Sequence, residues 1–515
     1  MIKKVSTYSF STEFSFQDFL NQLNELYSFN LTPQQNANLI FYDTFDWRLF
    51  SGSFVLFTIE KELFIRKLFR NTILDKCRYR KKISYSSELP KGKLKNTLTR
   101  IIGARALFPI AQVNEKVVTI NLFNNEQKVT AIIKLFDYKS DSEAFGKYSF
   151  LQLESITDYA NSFNEVDEWL ISKGFARQKK ADVFLQLFSN TEISPGDYSS
   201  KLKIKLLPEM PAGKALIEII IYLLTIIKAN QEYIIKKIDP EFLHDFRVAC
   251  RRIKSLLGSQ NIMDPIITKE FKKDITNLLK TTNELRDLDV YLLNTDYYKS
   301  ILPKDFNKKI NFLFTYLKRR RSIILKKLER DSFVEKIGVF LMKWESILNQ
   351  NPEKIANTKV STIEIKDLAR KEVYKNYNQI LRTGKLILKT KNTKKIHELR
   401  IQCKKLRYLM DIYKSLFPAK KIDILIKQLK ILQNNLGDYN DLFVQHKYLI
   451  NISNRFSLKN KNLHDSLMAI GILIGLLHQK RVETAHEFYC IFKNFSNQTF
   501  KKRIDELFSI NCNYP

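Results

Sequence analysis

HDFRVACRRIKSLL (His244 to Leu257) and HELRIQCKKLRYLM (His397 to Met410) carry one pattern twice: a His followed by a base at +3, +7, +8 and +10. The bases are Arg247, Arg251, Arg252 and Lys254 in the first copy, and Arg400, Lys404, Lys405 and Arg407 in the second. Neither stretch contains Gly or Pro, and both interleave long basic side chains with apolar ones, so helix is the natural reading. With each His at zero and 100° per residue, the +3, +7 and +10 bases fall at about 300°, 340° and 280°. The His and these three bases therefore share one face over roughly 15 Å of axis, and the +8 base sits aside at about 80°.

The apolar residues take the opposite arc: Phe246, Ala249, Cys250, Ile253, Leu256 and Leu257, then Leu399, Cys403, Leu406, Leu409 and Met410. Each helix thus has a core face and a cationic face, as in an amphipathic bundle. A single charged helix face is usually a solvated surface. Here no acid shares the basic face to soften it, and the pattern recurs with its His. Such a repeat predicts a duplicated surface that holds something long and negatively charged.

At these residues the chain resembles the CHAD family, the conserved histidine alpha-helical domain. The likeness extends to PEFLHDFRV (Pro240 to Val248), NELRDLDV (Asn283 to Val290), NNLGDYNDLFV (Asn434 to Val444) and IGILIGLLHQKR (Ile470 to Arg481). His244 precedes Asp287 by 43 positions and His397 precedes Asp441 by 44, so the halves stay in register. The resemblance spans residues 212–500 and implies an internally duplicated helical bundle that binds inorganic polyphosphate without a catalytic centre. Carried over by position, the binding residues are His244, Arg247, Arg251, Arg252 and Lys254 with His397, Arg400, Lys404, Lys405 and Arg407. Asp287 and Asp441 read as structural acids that cap or pair with a base.

The chemistry suits such a ligand. Polyphosphate is a flexible polyanion without bases to read, so a row of cations at matched spacing suffices. An Arg fork donates two hydrogen bonds to one phosphate, and Lys adds a compact mobile charge. A neutral His donates one hydrogen bond, and protonation adds charge. Two His among bases imply tighter binding as pH falls. Counterion release should make the binding steeply salt-dependent, as it is for nucleic acids.

Length and charge bound the rest. A chain of 515 residues predicts two domains, and a net charge of +32 points to an anionic partner. Residues 1–213 hold 29 Lys and Arg against 23 Asp and Glu, a net of +6; 57 against 31, a net of +26, fall in residues 214–515. The five Cys (77, 250, 403, 490 and 512) contain no CxxC, which suits a reducing compartment and gives no zinc signature. Cys250 and Cys403 lie about 120° from their His on the wheel, so they read as buried apolar groups and not as metal ligands. No cofactor is expected. MIKKVSTYSFSTEF lacks the apolar run of a signal peptide. Leu216 to Ile227 and Leu467 to Leu477 are shorter than the roughly 20 residues of a membrane span. Both read as buried helices of a cytoplasmic protein.

The first third alternates aromatic and β-branched runs with polar breaks: Tyr8 to Phe16, Ser51 to Ile59, Lys116 to Phe123, Lys128 to Phe136 and Tyr148 to Ser155. These predict strands. Gln17 to Phe29 and Ala160 to Lys173 read as amphipathic helices. FYDTFDWRLFSGSFVL (Phe41 to Leu56), ALFPIAQV (Ala106 to Val113) and the strand with Gln152 and Glu154 resemble the CYTH or triphosphate-tunnel fold, an antiparallel barrel whose enzymes hydrolyse triphosphates with metal. Where that family places Glu-x-Glu-x-Lys this chain offers Glu13 alone, and its Leu-Arg-x-Arg strand reads LFTI at Leu56 to Ile59. Too few carboxylates remain to hold Mg²⁺. Arg66, Lys67, Arg70, Arg78, Arg80, Lys81 and Lys82 form a basic stretch that reads as a solvated surface.

The expected architecture is therefore α+β. A CYTH-like antiparallel barrel without activity (1–193) and a Pro/Gly-marked linker (194–211) precede an all-α CHAD-like domain (212–515) with halves at about 212–350 and 355–505. The expected function is non-catalytic polyphosphate binding, with polyphosphate granules and polyphosphate-metabolising enzymes as associates. A divergent metal-dependent triphosphatase is the first alternative and a nonspecific nucleic-acid binder the second. Few aromatics on the basic faces argue against base-specific contact.

Overall fold

The computed structural model describes residues 4–10, 14–69, 73–79, 83–140, 147–178, 182–189, 191, 194–200, 202–258, 262–350, 355–356, 358–390, 395–454 and 461–509. Two compact units divide the chain at Ser199/Ser200.

The first unit is an antiparallel sheet. Its strands are β1 (Val5–Ser9), β2 (Ser28–Leu31), β3 (Gln35–Thr44), β4 (Phe54–Ile59), β5 (Glu62–Lys67), β6 (Ile73–Arg78), β7 (Leu107–Phe123), β8 (Val129–Ser140), β9 (Tyr148–Ser155) and β10 (Ala176–Arg177). They pair in the order β10-β1-β9-β8-β7-β3-β4-β5-β6, and β2 joins the far end of the long β7. Among the described residues the edge strands β10 and β6 do not pair with each other. The sheet is therefore open, where a closed barrel was expected.

Alternation along the strands sorts side chains to two faces. In β9, Leu151 and Leu153 enter one core with Tyr8, Ile120 and Ile133, covered by Phe19 and Leu23 of α1 (Phe16–Asn24) and Phe163 and Leu170 of α4 (Ala160–Ser172). Phe150 turns to the other face, where Phe41, Phe57 and Tyr138 pack around Phe184 and Leu187 of α5 (Val183–Leu187). A third cluster gathers Leu49 of α2 (Arg48–Ser51) with Leu94 and Leu98 of α3 (Lys93–Ile102).

The strand expected from Tyr8 to Phe16 stops at Ser9. The Ser15 hydroxyl accepts from the Asp18 N–H, and this cap starts α1 at Phe16. The helix expected through Phe29 ends at Asn24, because Ser28–Leu31 pairs with Ile120–Phe123 of β7.

The second unit is helical. Its helices are α6 (Ala212–Gln231), α7 (Glu241–Leu257), α8 (Pro265–Thr281), α9 (Asn283–Leu293), α10 (Thr295–Ile301), α11 (Asn311–Arg330), α12 (Phe333–Gln350), α13 (Ile365–Thr390), α14 (Lys395–Ile412), α15 (Ala419–Ser453), α16 (Lys461–Phe495) and α17 (Gln498–Phe508). The apolar run Leu216 to Ile227 is a core helix, with Ile219, Ile220, Leu223, Leu224 and Ile227 buried on α6. Among the described residues no helix is long and apolar enough to cross a membrane. At the end of the expected linker the Pro208 and Met210 carbonyls accept from the Lys366 and Ile365 N–H groups, and at the start of α6 the Ala212 and Gly213 N–H groups donate to the Ile363 and Ser361 carbonyls.

One close approach fixes a small residue. Gly384 of α13 faces the fully buried ring of Phe492 on α16, and a Cβ at this position would overlap that ring. Gly384→Ala should destabilise the helical unit by about 1–3 kcal/mol through overpacking, read as a lower thermal midpoint. Adding Phe492→Leu should recover part of the loss. An unchanged midpoint in the single variant would mean that the two helices sit farther apart.

Candidate anion-binding site

Both patterned segments are helical, and α7 packs directly against α14. The apolar stripes do what the wheel predicts: Phe246, Ala249, Cys250 and Ile253 are fully buried, as are Leu399, Cys403 and Leu409. Burial pushes the Cys250 thiol up to about 12 and moves Cys403 in the same direction, so both are inert apolar fillers.

This packing brings four of the ten expected residues together. Arg247 and Arg251 of α7 meet Arg400 and Lys404 of α14 closely enough that Arg251 disfavours the charge on the other three. Burial, then Arg400 and Arg251, lower Lys404 to about 7; burial, then Arg251, lower Arg247 to about 10. Arg247 is 5 % exposed. One of its terminal nitrogens donates to the Leu279 carbonyl (2.7 Å) and the Thr282 hydroxyl (2.6 Å), and the other to Asn283 Oδ1 (2.7 Å). These fix its fork at the junction of α8 and α9. Arg400 donates to Asp441 Oδ1 at 3.2 Å. His397 extends the row from an exposed position, its Nδ1 2.7 Å from Asn440 Oδ1. His244 is partly buried on α7, one turn before Arg247.

The other expected bases go elsewhere. Arg252 is buried, donates to the Ser200 carbonyl and lies near Asp411. Arg407 pairs with the same Asp411 at 3.5 Å and donates to Gln433. The wheel placed Arg407 beside Lys404, but Asp411 one turn on captures it. Lys405 faces Glu372, Lys375 and Lys272, and Lys254 is exposed. One base was missed: Arg286 of α9 is partly buried near Arg251, with Glu241 and Asp289 also close. Its signal was available, as the base preceding Asp287 in NELRDLDV. Asp287 and Asp441 both sit among the cations. Burial raises the Asp287 carboxyl, and Arg247 opposes that rise.

The sheet unit holds a different kind of hollow, about 230 Å³, lined by Phe41, Phe57, Phe136, Tyr138, Tyr148 and Phe150 with Gln152, Glu115 and Arg66 among them. Its charged groups are engaged. Glu115 accepts from the Tyr138 hydroxyl, and Glu154, two residues beyond Gln152 on β9, pairs with Lys134 at 2.8 Å. Arg66 is buried and forks onto Asp182 at 2.6 and 2.7 Å, so it does not belong to a solvated basic surface. Lys67 lies 3.8 Å above the Phe54 ring, and Arg78 is exposed near Glu62. Glu13, Arg70, Arg80, Lys81 and Lys82 lie outside the described residues.

The depressed proton affinity of Lys404 sets the sign of one pH effect. Between about pH 7 and the ordinary Lys range the unfolded chain holds a proton there that the folded chain releases, so this group makes stability rise with pH. Lys404→Met should flatten that rise and stabilise the ligand-free protein most at pH 6, measured by thermal unfolding across pH 6–9. A variant less stable than the parent at pH 6 would contradict the burial of a charged ammonium.

Comparison with known proteins bears on the helical unit. No curated protein matches the chain. Among solved structures, the CHAD domain from the plant Ricinus communis aligns with a TM-score of 0.44 at 19% identity, covering 56% of this chain and 95% of that one. PptA from Streptomyces chartreusis aligns with a TM-score of 0.43 at 11% identity, covering 55% and 99%. The sequence model of the CHAD domain matches residues 218–449, the span holding both patterned helices. The helical unit of this chain contains a CHAD domain.

Proposed function

We propose that the helical unit binds inorganic polyphosphate at the junction of α7 and α14, and that the chain acts as a binding protein and not as an enzyme. The observation that carries the reading is the surplus of positive charge held there at a cost. Arg251 lowers the proton affinity of Arg247, Arg400 and Lys404, Arg400 and Arg247 add to that effect at Lys404, and the neighbouring Asp287 and Asp441 leave the balance positive. Charge concentrated against its own stability points to a functional site. A polyanion relieves the repulsion, restores the Lys404 proton and accepts charge-assisted hydrogen bonds from the Arg forks. His244 and His397, the latter exposed, extend the row for a longer chain of phosphates. Arg252 and Arg407 act in this reading as supports around Asp411, and Lys254 and Lys405 as peripheral charges.

The aromatic hollow of the sheet unit supports the non-catalytic half of the proposal. Among the described residues Glu115 is the one carboxylate lining it and accepts from the Tyr138 hydroxyl, and Glu154 of the same unit is paired with Lys134. Metal-dependent phosphate release from tripolyphosphate by the full chain would overturn this half. Association with polyphosphate granules, or with enzymes that make or use the polymer, follows from the binding reading and has the same support.

Labelled long-chain polyphosphate at physiological salt tests the site. Arg251→Ala/Lys404→Ala should weaken binding roughly ten- to a hundredfold without lowering the thermal midpoint, since both residues repel their neighbours. Competition by unlabelled long polymer should far exceed that by tripolyphosphate or duplex DNA. Equal competition by DNA, or unchanged affinity in the variant, would sink the reading. Binding should also take up protons above pH 7 and weaken as pH rises from 7 to 9. Lys404→Arg, charged throughout, should flatten that dependence, as titration calorimetry in two buffers can show.

A further inference from the structure

Alternation puts Phe150 and Gln152 of β9 on one face, away from the core that takes Leu151 and Leu153. That face bounds the hollow of about 230 Å³ in the sheet unit. Packed interiors leave few voids larger than a water molecule, and an apolar cavity of about 150 Å³ already admits benzene. Phe136, Tyr138 and Phe150 stand at its wall as near-parallel rings, with interplanar angles of 4°, 11° and 12°. Another flat ring can extend such a stack. Ile73 of the edge strand β6 lines the hollow and is itself exposed, so the space opens toward solvent.

Two polar groups in this hollow are unmatched. Gln152 is 5% exposed, yet among the described residues no hydrogen bond engages its side-chain amide. Its Oε1 and Nε2 are not sealed into the wall, and both keep surface on the hollow. An amide buried without a partner is costly and calls for an explanation. Glu115 takes the Tyr138 hydroxyl on Oε2 alone, which leaves Oε1 to accept from a further donor. Arg66 brings no free charge, because Asp182 occupies its fork.

We infer that the hollow binds an uncharged planar heterocycle, stacked on the Phe136, Tyr138 and Phe150 wall and read at its edge by the Gln152 amide. A carboxamide offers one donor beside one acceptor, so it pairs with a ring edge that carries the complementary two, as Gln does with a base edge in DNA. The Glu115 carboxylate accepts from a ring N–H and repels an anionic substituent. A phosphorylated form of the same ring is therefore disfavoured against the free heterocycle. The site belongs to the sheet unit alone and does not rest on the polyphosphate reading.

Titration calorimetry of the full chain at physiological salt, in phosphate-free buffer, tests the site. Hypoxanthine and uracil present an N–H beside a carbonyl on a fused and on a single ring. Their 5′-monophosphate nucleotides carry the same edge with added negative charge, and indole has a ring N–H without an acceptor. Hypoxanthine or uracil should bind saturably at one site, several-fold more tightly than its nucleotide. Gln152→Leu should weaken that binding roughly tenfold and leave indole within about twofold. The thermal midpoint of the variant should be unchanged or higher, because the amide removed makes no bond in the free protein. Absence of saturable binding by both heterocycles, a nucleotide that binds as tightly as its free ring, or equal changes for heterocycle and indole in Gln152→Leu would each overturn the inference.

Discussion

The helical unit is organised around one constraint: two cationic helices must pack on each other without unfolding the domain. Apolar burial along α7 and α14 supplies the attraction, through stripes that include Phe246, Ile253, Leu399 and Leu409. Each fully buried side chain of this size contributes on the order of 1.5–3 kcal/mol, enough for a few of them to offset several partly desolvated charges. The repulsion is also divided. Arg247 is neutralised in part by the carbonyl and hydroxyl dipoles at the α8–α9 junction, Arg400 by Asp441, and Arg252 with Arg407 by Asp411. Arg251 and Lys404 form no ion pair among the described residues, and Asp287 and Asp441 offset their charge only in part. The free protein tolerates that remainder, and the proposed ligand would use it.

Much of this arrangement was legible in the sequence, because helical periodicity is a local property. The spacing Phe246, Cys250, Ile253 and Leu257 states which side of α7 is buried, and the structure agrees. The same wheel placed Arg247, Arg251 and the +10 bases on one face. It failed at Arg407, where the deciding partner, Asp411, lies beyond the motif on the same helix. It also missed Arg286, which joins the cluster because the first turn of α9, with Asn283 bonded to Arg247, lies near α7. Side-chain direction on one helix can be computed from sequence; which neighbour captures a long flexible base depends on packing that no periodicity contains.

The sheet unit shows the same division. Alternation in Tyr148 to Ser155 correctly separates Leu151 and Leu153 from Phe150. The run from Tyr8 to Phe16 misled, since aromatic content marks a strand until a capping Ser15 starts a helix. Arg66 read as one of several surface bases, yet its partner Asp182 is 116 residues away and both are buried. Replacing either member of such a pair by an apolar residue strands the other charge in the core. The fork therefore anchors α5 against the sheet, because Asp182 also caps that helix through the Phe184 N–H.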